Sequence, residues 1–130
     1  MPYFIDETDS EVRITDTLAI LKYISARYAP RLSGSNVAER GTVEMFSHVL
    51  IELNRLATKP CYMPEADKQA IGDNILKNMA PIVEHFEAKN LTVLLGSDSA
   101  LSYTDFLLFE VCERVEFLTE GRLLRQHPAL

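Results

Sequence analysis

Asp16 and Thr17 are the residues whose types and position most readily suggest chemistry. They stand where a strand-like pattern gives way to a helical one, so the free N–H groups of the first helical turn lie beside them. Such N–H groups attract a carboxylate, and Thr17 adds a hydroxyl. The same residue types also cap helices without binding anything. The residues alone leave a ligand carboxylate site and a plain helix cap both open.

Glu52, on a long predicted helix, and Tyr62, in the segment expected to break that helix, are further candidates. A phenol can donate a hydrogen bond and a carboxylate can accept one, but the residues alone assign a ligand to neither. A tyrosine packed at a helix junction and a solvated acid on a helix face fit the pattern equally well. These alternatives also stay open.

Neither a metal site nor a reactive cysteine is predicted. Cys61 and Cys112 lack the spacing of a disulfide framework or zinc cluster, and Cys112 lies in an apolar helix, where cysteine acts as a small hydrophobe. The histidines are scattered, and the acids of an early turn are interpreted as solvated rather than as a cation site. The histidines are His48, His85 and His127, and the acids of the turn are Asp6, Asp9 and Glu11.

The first 35 residues predict two strands, one helix and a linker. Residues 3–5 and 11–14 have strand character, and the helical period begins at Asp16. Pro30 ends that helix, and residues 30–35 form the linker. Two short strands do not make a stable sheet, so further strands are expected to pair with them.

Three longer helical patterns follow. Asn36 and Glu39 fit a capping box at the start of the first, and residues 59–64 are expected to break it. Pro64 suits the first turn of the second helix, and Pro81 should kink it.

The third pattern predicts the core helix, because it is apolar on more than one face. Ser102 is its expected N-cap, with Asp105 at the reciprocal position and Gly121 at its end. Both capping residues are structural under every interpretation of the sequence.

Composition bounds the function classes. The chain has 130 residues, a formal net charge of −6, 47% hydrophobic and 25% charged residues, which predicts one globular unit. The acidic balance argues against a nucleic-acid binder. With no secretory signal, no apolar run long enough for a membrane and unpaired cysteines, a cytoplasmic protein is expected.

Four segments resemble the glutathione S-transferases, in particular their mu-like members. They match, in order, the family's cis-proline strand, its strand-to-helix turn, the mu-class Cys-Tyr-Asn-Pro-acid segment and the capping box of the core helix. The segments are MPYFID at 1–6, RITDTLAILKYI at 13–24, CYMPE at 61–65 and LGSDSALSYTDF at 95–106.

The resemblance implies the fold class and the domains. Residues 1–30 are expected to end a thioredoxin-like glutathione-binding domain, as an α/β remnant of two strands and one helix. Residues 31–35 are the linker, and residues 36–130 form an incomplete, all-α helical C-terminal domain. The chain is therefore expected to be mainly α.

The resemblance also implies the glutathione site. The backbone at Met1, aimed by a cis bond at Pro2, is expected to pair with the cysteine of glutathione as an added strand. A strand that merely starts with proline is the simpler alternative. Asp16 and Thr17 are expected to bind the γ-glutamyl end, although mu-like members usually have Gln-Ser there. Glu52 matches an acid that reaches the glutathione amine in the partner subunit.

Tyr62 matches a tyrosine that faces the electrophile, so the resemblance implies a catalytic helper role. Glutathione is expected as a substrate and no metal as a cofactor. The thiol-activating residue of the family lies on a strand that precedes the proline, so none is named in this chain.

The expectation is a homodimeric mu-like transferase that attacks an electrophilic small molecule with the glutathione thiolate, without nucleic-acid or membrane partners. The alternatives are a non-catalytic transferase-like scaffold or subunit of a larger complex, and an unrelated helical domain that shares the capping chemistry.

Overall fold

The structure, a computed structural model, describes residues 2–8, 12–63, 67–95, 101–128 and 130. It opens with an antiparallel hairpin of β1 (Tyr3–Ile5) and β2 (Arg13–Thr15), in which Phe4 lies opposite Ile14. The second strand ends one residue later than predicted, and its expected first residue, Glu11, lies outside the described part.

The hairpin has one packed face and one open face, because successive side chains of a strand point to opposite sides. Phe4 is partly buried and its ring centroid lies 5.9 Å from that of Tyr23 on the following helix. Tyr3 and Ile5 point the other way and stay 59% and 45% exposed. The described part of the chain gives the hairpin no further strand.

Helix α1 (Thr17–Tyr28) follows β2 directly and ends at Ala29. The predicted linker contains a 3₁₀ turn at Pro30–Ser33. Gly34 then turns with φ +95°, and a Cβ there would meet the backbone nitrogen of Arg40 at 2.8 Å, so this position requires glycine.

Helix α2 (Val37–Tyr62) begins where predicted, since the Asn36 side chain accepts the Glu39 N–H at 2.9 Å. The predicted break across residues 59–64 is wrong for residues 59–62, because the helix runs through Pro60 to Tyr62. Pro60 removes only one hydrogen bond in the last turn, and the Met63 N–H still reaches the Lys59 carbonyl at 3.0 Å.

Three more helices follow: α3 (Lys68–Lys89), α4 (Tyr103–Thr119) and the short α5 (Arg122–Gln126), which the sequence pattern did not predict. Asp67 caps α3. Pro64, which was expected in the first turn of this helix, lies outside the described part. Pro81 lies within α3, which continues past it to Lys89, and Gly121 follows the end of α4 with φ +80°.

The core lies between α2, α3 and α4, and α2 packs most extensively on α4. Leu50, Ile75 and Val115 are fully buried, one from each helix. Gly72 lets α3 approach α4, because a Cβ there would lie 2.9 Å from a Thr119 methyl group. The architecture is therefore mainly α, a helical bundle preceded by an α/β remnant, as expected.

The predicted apolar faces are correct in the core and wrong at their edges. The sequence pattern assigns Val49 to the apolar face of α2 and Phe106 to the apolar surface of α4, but Val49 is 40% exposed and Phe106 is 55% exposed. Among the described helices, none is long and apolar enough to cross a membrane.

Candidate functional site

The start of α1 carries an unusual backbone at Asp16. This residue has φ 93° and ψ 125°, and its Oδ1 accepts the Ala19 N–H at 3.0 Å while its carbonyl accepts the Ile20 N–H at 3.0 Å. Asp16 and Thr17 are both exposed. The predicted cap is present, and the first turn of α1 remains open to a ligand.

The positive φ at Asp16 is costly for a residue with a Cβ. Such backbone strain costs on the order of 1–3 kcal/mol and tends to occur at functional positions. The cap bond offsets part of that cost, about 1 kcal/mol. The sequence pattern located the helix start but gave no signal of this strain.

Asp6 corrects the sequence interpretation, because it is not a solvated acid of the turn. It is 2% exposed at the end of β1. Its Oδ2 accepts the hydroxyls of Tyr23 at 2.7 Å and Tyr28 at 2.6 Å, and its Oδ1 accepts the Thr8 hydroxyl at 2.6 Å and the Thr8 N–H at 2.9 Å. Asp9 and Glu11 lie outside the described residues.

These bonds shift the acidities of the groups that make them. Hydrogen bonds from Thr8, Tyr28 and Tyr23 hold the pKa of the Asp6 carboxyl well below its ordinary value. The bond to Asp6, followed by burial, raises the pKa of Tyr23 to about 12. The cluster is therefore an ionised carboxylate surrounded by neutral hydroxyl donors, and it joins the hairpin to α1.

The other residues predicted to bind glutathione are Met1, Pro2 and Glu52. Pro2 is exposed just before β1, and Met1 lies outside the described residues, as does the predicted cis bond between them. Glu52 is exposed on α2, and its carboxylate pairs with Arg55 at 2.5 Å. Among the described residues, Glu52 makes no contact with the start of α1.

Tyr62 lies at the last residue of α2 and is 84% exposed. It borders a groove of about 630 Å³ between the ends of α2 and α4. Pro60, Cys61 and Phe117 form part of the groove wall, with Lys68 and Arg114 among its polar groups. The groove is open and of a size suited to a small molecule.

The two candidate regions lie at different ends of α2. Lys22 of α1 pairs with Glu44 of α2 at 2.8 Å. From Glu44 to Tyr62 the helix advances about 27 Å, at 1.5 Å per residue. The structure therefore does not bring Tyr62 together with Asp16 through any contact of the described residues.

Ser102 and Asp105 hold the start of α4. One Asp105 oxygen accepts the N–H and the hydroxyl of Ser102, both at 2.7 Å, and the other accepts the Leu94 N–H at 2.8 Å. Ser102 is fully buried and its hydroxyl lies 2.6 Å from that of Thr104. Asp105 therefore ties the preceding loop to the core helix as well as completing a capping box.

The remaining polar candidates have local roles. Burial, followed by the nearby Glu116, raises the pKa of the Cys112 thiol to about 11, so this thiol stays protonated near neutral pH. Cys61 is exposed. Within the described ranges, no three potential metal ligands lie together.

Comparison with known proteins finds several relatives, all of which are named glutathione S-transferases. The chain is 30% identical over 123 residues to a glutathione S-transferase of Tyrophagus putrescentiae. This alignment covers 91% of this chain and 51% of the relative. It is 27% identical over 133 residues to glutathione S-transferase class-mu 26 kDa isozyme 1 of Fasciola hepatica. This alignment covers 100% of this chain and 55% of the relative.

A third relative, glutathione S-transferase 2 of Gallus gallus, is 26% identical, covering 88% of this chain and 49% of the relative. No protein-family model matches the chain. The chain spans about half the length of the curated relatives it matches. The resemblance to this family is confirmed over that half.

Proposed function

We propose that this chain, a relative of the glutathione S-transferases over about half of their length, holds part of the glutathione site of a cytoplasmic, mu-like transferase. The observation that carries the proposal is the start of α1, where a strained and exposed Asp16 precedes Thr17 and the open first helical turn. A ligand carboxylate suits this position, because N–H groups and the helix dipole both favour negative charge.

Glutathione supplies matching groups. Its γ-glutamyl carboxylate fits the first turn of α1 and the Thr17 hydroxyl. Its amine fits the Asp16 carboxylate, whose Oδ2 accepts no bond from a described residue. The segment formed by Pro2 and β1 offers backbone groups to the cysteine of glutathione, as in strand addition. The residues 1–30 then act as the remnant of the glutathione-binding domain, joined by 31–35 to the helical domain 36–130.

The proposed reaction is a nucleophilic substitution or addition. The thiolate sulfur forms a bond to an electrophilic carbon, and the electron pair passes to a leaving group or to a conjugated acceptor. Tyr62 borders the groove between α2 and α4. We propose that the electrophile occupies this groove, that the thiol end of glutathione extends toward it from the start of α1, and that Tyr62 donates a hydrogen bond to the acceptor as charge develops there. We assign no thiol-activating residue within this sequence.

Glu52 fits the proposal through a second copy of the chain. It lies exposed in the middle of α2, and in the proposed homodimer it accepts a bond from the amine of glutathione in the partner. Its pairing with Arg55 is exposed and therefore weak, so the acid can exchange partners at little cost.

Steady-state kinetics of the full-length protein that carries this sequence test the proposal. With glutathione and an aryl halide as the electrophile, Thr17→Val should raise KM for glutathione about tenfold, the loss of one hydrogen bond to a charged group. Tyr62→Phe should lower kcat about tenfold and leave KM for glutathione unchanged.

Thr17→Ser is the matched control, because it keeps the hydroxyl. If the wild-type protein neither binds glutathione nor conjugates it, the proposal fails. If it binds glutathione but conjugates no electrophile, the non-catalytic scaffold replaces the transferase.

A further inference from the structure

We infer that Asp6 is a positioning residue, which holds β1 against α1 through Tyr23 and Tyr28 and thereby sets the affinity for glutathione. The inference rests on the proposed function, because it concerns the two segments that the glutathione site uses. Those segments are β1, which follows Pro2, and the helix start at Asp16 and Thr17.

The hairpin needs such a tether. It pairs only three residues of each strand, Tyr3–Ile5 with Arg13–Thr15, and a two-stranded hairpin is at best marginally stable by itself. Its packed face offers Phe4 and Ile14, both only partly buried. Apolar packing alone is therefore a weak constraint on the orientation of β1 relative to α1.

Asp6 supplies the missing constraint at the end of β1. The side chain is 2% exposed, and both of its oxygens are occupied by hydroxyl or N–H donors at 2.6–2.9 Å. Hydrogen bonds to an ionised group are roughly twice as strong as neutral ones. The Asp6 N–H also donates to the Val12 carbonyl at 3.3 Å, so the same residue closes the hairpin.

The two tyrosines restrain the orientation of α1 relative to β1 as well as the distance between them. Tyr23 and Tyr28 are five residues apart on α1, which corresponds to about 7.5 Å along the axis and about 140° around it. Both donate to the same carboxylate oxygen. Two attachments at different heights and angles restrain the tilt and the rotation of α1 against β1 together.

Thr8 completes the arrangement from the turn. Its hydroxyl and N–H occupy the other Asp6 oxygen, and the hydroxyl lies 3.1 Å from that of Tyr28. Thr8 is exposed and Tyr28 is 53% exposed, so both can be changed without emptying the core. They are therefore better probes than Asp6 itself, whose replacement threatens folding.

The test is isothermal titration of glutathione into the full-length protein and its Tyr28→Phe, Thr8→Val and Thr8→Ser variants. Tyr28→Phe and Thr8→Val should each raise Kd for glutathione about five- to tenfold, as expected for the loss of one charge-assisted bond that orders the site. Thr8→Ser keeps the hydroxyl and should bind within about twofold of the wild type. KM for the electrophile should stay unchanged in all three.

Thermal denaturation of the same proteins separates positioning from support of the fold. A residue that only supports the fold lowers the midpoint and leaves Kd unchanged at temperatures where the protein is folded, and that result overturns the inference. Wild-type protein that binds no glutathione overturns the proposed function first, and the positioning role with it. The two failures are distinguishable, because failure of the proposed function appears in the wild-type protein, whereas failure of the positioning role appears only in the variants.

Discussion

At the residue scale, Asp16 combines a helix cap with a backbone conformation that disfavours any residue except glycine. The two properties can be separated by substitution. Asp16→Gly removes the strain and the cap together, so the protein should be as stable as the wild type or more stable. Asp16→Ala keeps the strain and loses the cap, so it should lose about 1–2 kcal/mol of unfolding free energy.

Both variants should bind glutathione at least about fivefold more weakly, because both lose the carboxylate that is proposed to accept a hydrogen bond from the amine of glutathione. Urea denaturation and calorimetric titration measure the two effects. A stability loss above about 1 kcal/mol in Asp16→Gly would show that the positive φ is not strained here.

Asp6 predicts a pH dependence of stability. Its pKa is held below the ordinary value of 3.8, so its ionised, bonded form stabilises the fold fully above that value, and the contribution declines as the pH falls below it. Tyr23, with its pKa raised to about 12, behaves in the opposite sense, and its contribution is lost only above pH 10.

The denaturation midpoints of wild-type protein and Asp6→Asn should therefore differ most near neutral pH and converge between about pH 4 and pH 2. Glu7→Gln, which neutralises a neighbouring exposed acid, is the control. Its denaturation midpoint should match that of the wild-type protein throughout this pH range. A constant difference across this range would mean that Asp6 acts without its charge.

At the element scale, Asp105 should matter more than a helix cap alone. Its carboxylate accepts N–H groups from both Ser102 and Leu94, so Asp105→Ala leaves the loop and the helix start without their common acceptor. The expected loss is about 2–4 kcal/mol of unfolding free energy, from bonds to a charged group. Glu113→Ala on the exposed face of α4 should change the stability by less than about 0.5 kcal/mol.

Chemical denaturation of the two variants measures this difference. Equal losses in Asp105→Ala and Glu113→Ala would contradict the anchoring role. The same experiment with Asp105→Asn separates charge from hydrogen bonding, because the amide keeps one acceptor oxygen.

The elements were largely predictable from local signals, and the exceptions have physical causes. Asn36 and Ser102 located the starts of α2 and α4, because capping depends on side chains next to the helix. The end of α2 was misplaced, since a proline in a last turn costs only one bond and burial of Pro60 holds it in the helix. The short α5 has too few residues to give a periodic pattern.

The candidate site was only partly predictable. Asp16 and Thr17 were found from the change of period at the helix start. The role of Asp6 depends on Tyr23 and Tyr28, which are 17 and 22 residues away along the chain. No local pattern reports such a contact, and an acid in a turn normally indicates solvent. The helical period places Tyr28 on the apolar face of α1 with Leu21 and Ile24 but assigns no role to Tyr23, and this unassigned tyrosine was the available signal.

At the scale of the whole molecule, the resemblance to glutathione S-transferases covers about half of those relatives, and the proposed catalytic parts are distributed along that half. The proposed glutathione residues lie at the hairpin and the start of α1, while Tyr62 lies at the far end of α2. The proposed homodimer adds Glu52 of a second copy, so sedimentation of the full-length protein should give twice the mass of one chain.

Glutathione is proposed to bind between β1 and the start of α1. The most direct measurement is an NMR titration of the full-length, ¹⁵N-labelled protein with glutathione. This binding position predicts saturable shifts of the amides of Tyr3–Ile5 and of residues 17–19, and Thr17→Val should need about tenfold more glutathione to reach the same shifts. Saturable binding with shifts confined to other segments, or no shifts at millimolar glutathione, would contradict it.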